Sequence, residues 1–183
     1  MSSLAQSIRE FDIAVLRSLN PSGDIFWIPV FQMISDTTSL IAYGVPVLLC
    51  AIGLLQRKRM LVYKAISLFL TVIIADYTTL FLKQFFHRRR PFDVYDTITR
   101  YSDGGNFSFP SGHTTQAMAM AVGLSLLFPK WAFRAPVLVW AMLVGFSRVY
   151  LGVHYPSDVI GATMLSAFVA LLVFVLWKRL AKI

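Results

Sequence analysis

Five stretches of this sequence, at about 38–56, 60–83, 113–129, 134–151 and 157–177, are each apolar over close to the length a helix needs to cross a bilayer. Hydrocarbon offers no water to backbone amides, so runs of this length are confined to helices that satisfy their own N–H and C=O groups. The composition agrees: 57% of the 183 residues are apolar, 14% are charged, and the mean hydropathy is +0.66. A soluble domain is nearer half apolar and a quarter charged. The expectation is an all-α integral membrane bundle of five to six spans, forming a single domain over residues 1–183. The segment 24–35, DIFWIPVFQMIS, is apolar but short. It reads as a re-entrant or interfacial piece, or as a sixth span if joined to the N-terminal helix. The single cysteine, Cys50, excludes an intrachain disulfide.

The first twenty residues lack a basic start followed by an apolar core, so no cleavable signal is expected. Leu4, Ile8, Phe11, Val15 and Leu19 instead recur at helical spacing, with Arg9, Glu10, Asp12 and Arg17 elsewhere on the wheel. This pattern fits an amphipathic helix lying in the membrane interface, or equally one packed on the rest of the protein.

A net charge of +8 suggests nucleic acid at first sight. The basic residues, however, lie at the ends of apolar runs, where membrane topology places them. One face of the bundle would carry Arg57, Lys58, Arg59, Lys64, Lys130, Arg134, Lys178, Arg179 and Lys182, and no acidic residue. That face reads as cytoplasmic. The opposite face would carry Lys83, Arg88, Arg89, Arg90, Arg100 and Arg148, together with the long polar loop 87–112. Cations on the side that should be poor in them call for a reason, and anion binding supplies one.

Three motifs converge on that face. Lys83-QFFHRR-Arg90-Pro91 closes the second span, Pro110-Ser111-Gly112-His113 opens the third, and Ser147-Arg148-VYLGV-His154-YPS-Asp158 links the fourth and fifth. A helix N-terminus offers unpaired N–H groups and partial positive charge to an anion. Ser111 is placed to cap the third span, and Gly112 lets the backbone approach a phosphate closely. Lys83, Arg90 and Arg148 bring charge and forked donors to phosphate oxygens. His154 and Asp158 are four residues apart, within reach of a hydrogen bond that fixes the ring tautomer and frees the other nitrogen. His154 is thus the candidate nucleophile, through a phosphohistidine, and His113 the candidate general acid for the leaving oxygen.

These motifs, in this order and spacing, resemble the signature of the type 2 phosphatidic acid phosphatase superfamily, which also includes vanadium haloperoxidases. Its pattern is Lys-x6-Arg-Pro, Pro-Ser-Gly-His and Ser-Arg-x5-His-x3-Asp, and the chain matches all three between Lys83 and Asp158. The resemblance implies a metal-independent lipid phosphatase that needs no cofactor. It places Lys83, Arg90, Ser111, Gly112 and Arg148 on the phosphate, His113 as acid, and His154 as nucleophile oriented by Asp158.

Other readings stand beside this one. Lys83 and Arg148, taken singly, could be snorkelling anchors. Arg88 and Arg89 read as contacts for anionic headgroups, or for the second phosphate of a diphosphate. His87 reads as an ordinary loop histidine, and Asp93, Asp96 and Asp103 as solvated turn residues rather than metal ligands. Asp76 lies inside a span, where a carboxylate is functional by default; a supporting role, pairing with a polar group in the bundle, is expected. The substrate would be undecaprenyl diphosphate first, then phosphatidylglycerol phosphate or phosphatidic acid. Alternatives are a lipid A phosphatase, a peroxidase, or a non-catalytic lipid-phosphate binding or transport protein on the same fold. The expected partners are the lipid substrate and membrane lipids, with no nucleic acid. The expected location is a bacterial cytoplasmic membrane, with the site on the non-cytoplasmic side. Oligomeric state leaves no mark in the sequence.

Overall fold

Each apolar run becomes a helix whose ends fall at residues that cannot continue it. The structure, a computed structural model, describes residues 3–21 and 25–180. In chain order the α-helices are α1 (Ser3–Leu19), α2 (Ile28–Asp36), α3 (Thr38–Leu55), α4 (Arg59–Phe86), α5 (Gly112–Leu127), α6 (Trp131–Tyr150) and α7 (Pro156–Leu180). A short 3-10 turn occupies Pro91–Asp93, and the described residues contain no strand. After α4, His87 takes a left-handed backbone (φ 47°) and its N–H donates to the Lys83 carbonyl at 3.1 Å. α7 begins on Pro156, whose fixed φ and missing N–H suit the first turn of a helix.

Four segments are long and apolar enough to cross a membrane by length and composition: Ile28–Leu55, Arg59–Asp93, Trp131–Tyr150 and Pro156–Arg179. α5, at 16 residues, is shorter and sits at the centre, packed against α3, α4, α6 and α7. Ala117, Ala119 and Ala121 on it are fully buried. Small side chains let helix backbones approach closely, which is how bundles hold together where lipid removes the hydrophobic drive between helices. Hydrogen bonds add to this: Thr79 donates to Thr115 at 2.9 Å, and Ser166 donates to the Thr115 carbonyl at 3.0 Å, joining α4, α5 and α7.

The segment expected over 24–35 forms the nine-residue α2, with residue 24 itself outside the described residues. Nine residues rise only about 13 Å, so α2 does not add a sixth span. It is separated from α3 by Thr37 alone and packs on α6. α1 packs on the rest of the protein through the C-terminal half of its apolar stripe. Leu4, Ile8 and Phe11 are exposed, whereas Leu16 is buried, with Val15 and Leu19 packed beside it against Ile98, Val149 and Tyr155.

Asp76 finds the polar partners expected of an intramembrane carboxylate. Its Oδ2 accepts from the Tyr43 hydroxyl at 2.6 Å and from Gln116 Nε2 at 3.1 Å, and Ser39 donates to the Gln116 carbonyl oxygen at 2.8 Å. One carboxylate thereby joins α3, α4 and α5. Asp76→Leu should leave the Tyr43 and Gln116 donors unpaired, at a cost of about 1–3 kcal/mol. A lowered Tm in detergent is the expected measurement, with Asp76→Asn losing less because its carbonyl still accepts.

Candidate active site

The three motifs meet at one end of the bundle, around a cavity of about 410 Å³. Its walls come from the last turns of α4 (Leu80, Lys83, Gln84), the loop that follows (Arg90, Asp103, Gly105, Asn106, Phe107), the first turn of α5 (Gly112, His113), the end of α6 (Arg148) and the α6–α7 turn (His154). Ser111 and Asp158 stand behind these walls, both fully buried.

His154 occupies a turn that the backbone alone would not hold. Gly152 takes a φ of +73°, open to glycine, and a Cβ there would collide with the Thr99 carbonyl. The Val153 and His154 N–H groups both donate to the Arg148 carbonyl at 3.2 Å, so the chain folds back over the end of α6. His154 Nδ1 then lies 3.3 Å from Asp158 Oδ2, and Nε2 lies 3.3 Å from Arg90 Nη1. With the ring proton assigned to Nδ1, toward the carboxylate, Nε2 keeps its lone pair on the side of the cavity. Burial drives the His154 pKa down from 6.5 to about 3, against the opposing pull of Asp158. The ring is therefore neutral at physiological pH.

The carboxylate that aims this ring is saturated with donors. Asp158 Oδ2 accepts from the Tyr155 N–H at 2.9 Å and from the Ser108 hydroxyl, besides His154. Oδ1 accepts from Arg88 Nη1 at 2.6 Å. Ser108 arrives from the far end of the loop, where its N–H donates to the Arg88 carbonyl at 2.8 Å.

The cations of the cavity are held mostly by neutral oxygens. Arg90 donates to the carbonyls of Gly105 (2.6 Å), Val153 (2.8 Å) and Phe107 (3.1 Å). Gly104 makes room for this, since a Cβ there would sit 2.9 Å from Arg90 Nε. Lys83 Nζ donates to the Phe107 carbonyl at 2.7 Å. Arg148 donates to the Ser35 hydroxyl, to Ser102 Oγ at 3.1 Å and to the Asp103 carbonyl at 3.0 Å. Its Nε is buried with no protein partner. A buried guanidinium with an unmet donor beside an open cavity suits an anion.

The match to a family model for the PAP2 superfamily covers residues 64–182, most of the chain. The chain belongs to the PAP2 superfamily. A Bacillus subtilis undecaprenyl-diphosphatase, BcrC, is 29% identical over 137 residues, covering 74% of this chain and 68% of the relative. A Rhizobium etli lipid A 1-phosphatase is 35% identical over 117 residues, 61% of this chain and 50% of the relative. The Haemophilus influenzae phosphatidylglycerophosphatase B is 37% identical over 92 residues, 46% of this chain and 38% of the relative. The chain thus spans half or less of the length of these last two. The crystal structure of a transmembrane PAP2-type phosphatidylglycerolphosphate phosphatase from Bacillus subtilis aligns with a TM-score of 0.80 at 25% identity, covering 94% of this chain and 87% of that one. Family and fold make this chain a multi-pass membrane phosphatase of the PAP2 class.

Against this PAP2 frame, six of the eight residues singled out by the motifs line the cavity: Lys83, Arg90, Gly112, His113, Arg148 and His154. Ser111 stands at the N-cap of α5 as expected, but its side chain makes no capping hydrogen bond; its hydroxyl accepts from Thr114 at 2.9 Å. Arg88 departs most from expectation. It is turned inward, bonded to Asp158 and, at 2.7 Å, to Asp12 of α1, and neither it nor Arg89 lines the cavity. Arg89 donates instead to the Asp93 carbonyl at 2.9 Å. Asp12, placed by the sequence on the polar face of an interfacial helix, is fully buried. Its partners lie 76 and 145 positions away, so no local signal marked it. His87 caps α4 and packs edge-on against Phe107, 4.5 Å between ring centres. Asp93, Asp96 and Asp103 form no ligand cluster, since no group of His, Cys, Asp and Glu fit for a metal occurs among the described residues. The Asp103 carboxylate pairs with Arg100 at 2.8 Å.

Because the fold resists protonating His154, its contribution to stability is complete above the unfolded pKa near 6.5 and is lost as pH falls toward 3. Melting in detergent from pH 7 to pH 4 should therefore show a steeper loss of Tm for the wild type than for His154→Gln.

Proposed function

We propose that the chain removes a phosphate from a lipid phosphate in two steps at His154. In the first, Nε2 attacks phosphorus in line, the P–N bond forms as the bond to the leaving oxygen breaks, and His113 gives that oxygen its proton. In the second, His113 takes a proton from water, the hydroxide oxygen bonds to phosphorus, and the P–N bond breaks to release inorganic phosphate. Lys83, Arg90 and Arg148 balance the charge that grows on the equatorial oxygens. Gly112, at the start of α5, presents backbone to the same phosphate. Asp158 holds the ring and stabilises the positive charge it takes on when phosphorylated. The observation that carries this reading is the opposed placement of the two His154 nitrogens, one on a buried carboxylate and the other facing a cationic cavity.

For the substrate, a prenyl diphosphate of the undecaprenyl type is placed first. Its support is the diphosphatase named among the relatives and a 410 Å³ cavity roomy enough for more than one phosphate. Arg88 gives no such support, because its guanidinium is already neutralised by two carboxylates. Phosphatidylglycerol phosphate is the second reading, favoured by the structural neighbour. The cytoplasmic membrane is the proposed location. The acid-free basic clusters at the far end of the bundle support a non-cytoplasmic site.

Phosphate release from undecaprenyl diphosphate, phosphatidylglycerol phosphate, phosphatidic acid and lipid A, assayed side by side in detergent with EDTA present, tests the reading. The diphosphate should give the highest kcat/KM, and activity should survive the chelator. His154→Ala should lose about 10³-fold or more, and His113→Ala about 10²–10⁴-fold. An acid-labile phosphoprotein should be trapped by a quench in the wild type and absent from His154→Ala.

A further inference from the structure

The N-terminal helix lies outside the three motifs, yet it reaches the centre of the site. Asp12 is buried without remainder on a helix whose neighbouring positions are mostly exposed. Its carboxylate accepts three hydrogen bonds from parts of the chain distant in sequence: Arg88 Nη2 at 2.7 Å, Ser157 N at 2.8 Å and Ser157 Oγ at 2.6 Å. Ser157 follows Pro156 at the start of α7, so Asp12 satisfies an N–H that the helix itself leaves open. Arg88 spans the two carboxylates. Nη2 serves Asp12 and Nη1 serves Asp158 Oδ1 at 2.6 Å, while the guanidinium stacks 4.0 Å above the Tyr155 ring. The α1 end is pinned as well, for Asn20 donates to the carbonyls of Thr99 (2.9 Å), in the loop after α4, and of Tyr150 (3.1 Å), at the end of α6 just before the turn that carries His154.

We propose that Asp12 and Arg88 are positioning residues for the reaction at His154: Asp12 of α1 holds Arg88 in place, and Arg88 fixes the orientation and ionised state of Asp158, which in turn aims the histidine. This rests on the reading of His154 as nucleophile. Arg88 occupies Oδ1 and thereby turns Oδ2 toward Nδ1 of the ring. The charged and titratable groups around Asp158 and His154 are Asp12 from α1, Lys83 from α4, Arg88 and Arg90 from the loop, His113 from α5 in the same cavity, Arg148 from α6, and Tyr155 beside them.

The two residues have different signatures. Without Arg88, the Asp12 and Asp158 carboxylates lie around Ser157 with no cation between them, and Asp158 takes up a proton more readily. A protonated Asp158 no longer supports the histidine, so activity fails at a higher pH on the acid side. Without the Asp12 charge, Arg88 belongs to Asp158 alone, and that carboxylate stays ionised.

The experiment measures kcat and KM against pH for Arg88→Gln, Arg88→Lys, Asp12→Asn and the double variant Asp12→Asn/Arg88→Gln, with His154→Ala as control. Each protein is checked for a folded, monodisperse state and its Tm in detergent. The probe is the best lipid phosphate of the panel above. Arg88→Gln should lose about 10- to 100-fold in kcat at neutral pH, the range seen when outer partners of metal-bound histidines are removed. Its KM should hold and its acid limb should move to higher pH. Arg88→Lys and the double variant should both return the limb toward the wild-type position, and Asp12→Asn should not raise it. A raised KM at unchanged kcat would place Arg88 on the substrate and overturn the proposal. So would a loss of kcat with an unmoved pH profile, which is what a purely structural role gives. If Arg88→Gln misfolds, Asp12→Asn decides by the same limb: with Arg88 left to Asp158 alone the limb should move to lower pH, and an unmoved or raised limb would overturn the proposal. Full activity in His154→Ala would defeat the nucleophile reading instead, whatever the Arg88 variants do.

Discussion

A carboxylate sealed inside a protein loses several kcal/mol of hydration, and survives as an anion only when donors surround it. Asp158 is such a carboxylate, and much of the site end of the molecule is arranged around it. Its two oxygens take hydrogen bonds from Arg88, Ser108, His154 and the Tyr155 backbone. Those four donors come from the loop after α4, from the end of that loop, and from the turn before α7. Removing water from this carboxylate therefore joins segments that lie far apart in sequence. The same network fixes one face of the histidine ring and leaves the other facing the cavity.

Charge is divided between the two sides of that histidine. Behind it, Arg88 is matched by the carboxylates of Asp12 and Asp158. In front of it, Lys83, Arg90 and Arg148 are held by carbonyl and hydroxyl oxygens. Neutral acceptors fix a cation's position without cancelling its charge. The cavity keeps a positive field for an anion, strengthened by the low polarity around it. The long loop between α4 and α5 supplies most of these carbonyls, which gives a stretch without regular structure a definite task.

How far the sequence could be read depended on the range of each interaction. The spans were legible because a 20-residue apolar run has few options in a bilayer; the helices begin and end within a few residues of the expected boundaries. His154 and Asp158 are legible because four residues of separation, across a turn that runs into the first turn of α7, keep the two side chains within hydrogen-bond reach. The expected side-chain cap at Ser111 was not found, since its hydroxyl is engaged with Thr114. From sequence Arg88 is a contact for anionic headgroups or a second phosphate, because nothing near it in sequence reveals the carboxylate of Asp12, 76 positions earlier. Asp12 falls on the polar face of its helix for the same reason: helical periodicity reports which side of a helix is polar, not what that side meets.

The sequence by itself determined the solvent, the class of fold and the inventory of chemical groups, because hydrophobic length, charge placement and motif spacing are local properties of the chain. Only the tertiary structure decided which cation would face the cavity and which would be neutralised behind it. That choice depends on where carboxylates, carbonyls and helix ends arrive from distant parts of the chain, and on the desolvation that makes every buried charge find a partner. Arg88 and Arg90, two residues apart with the same side chain, take opposite parts for that reason.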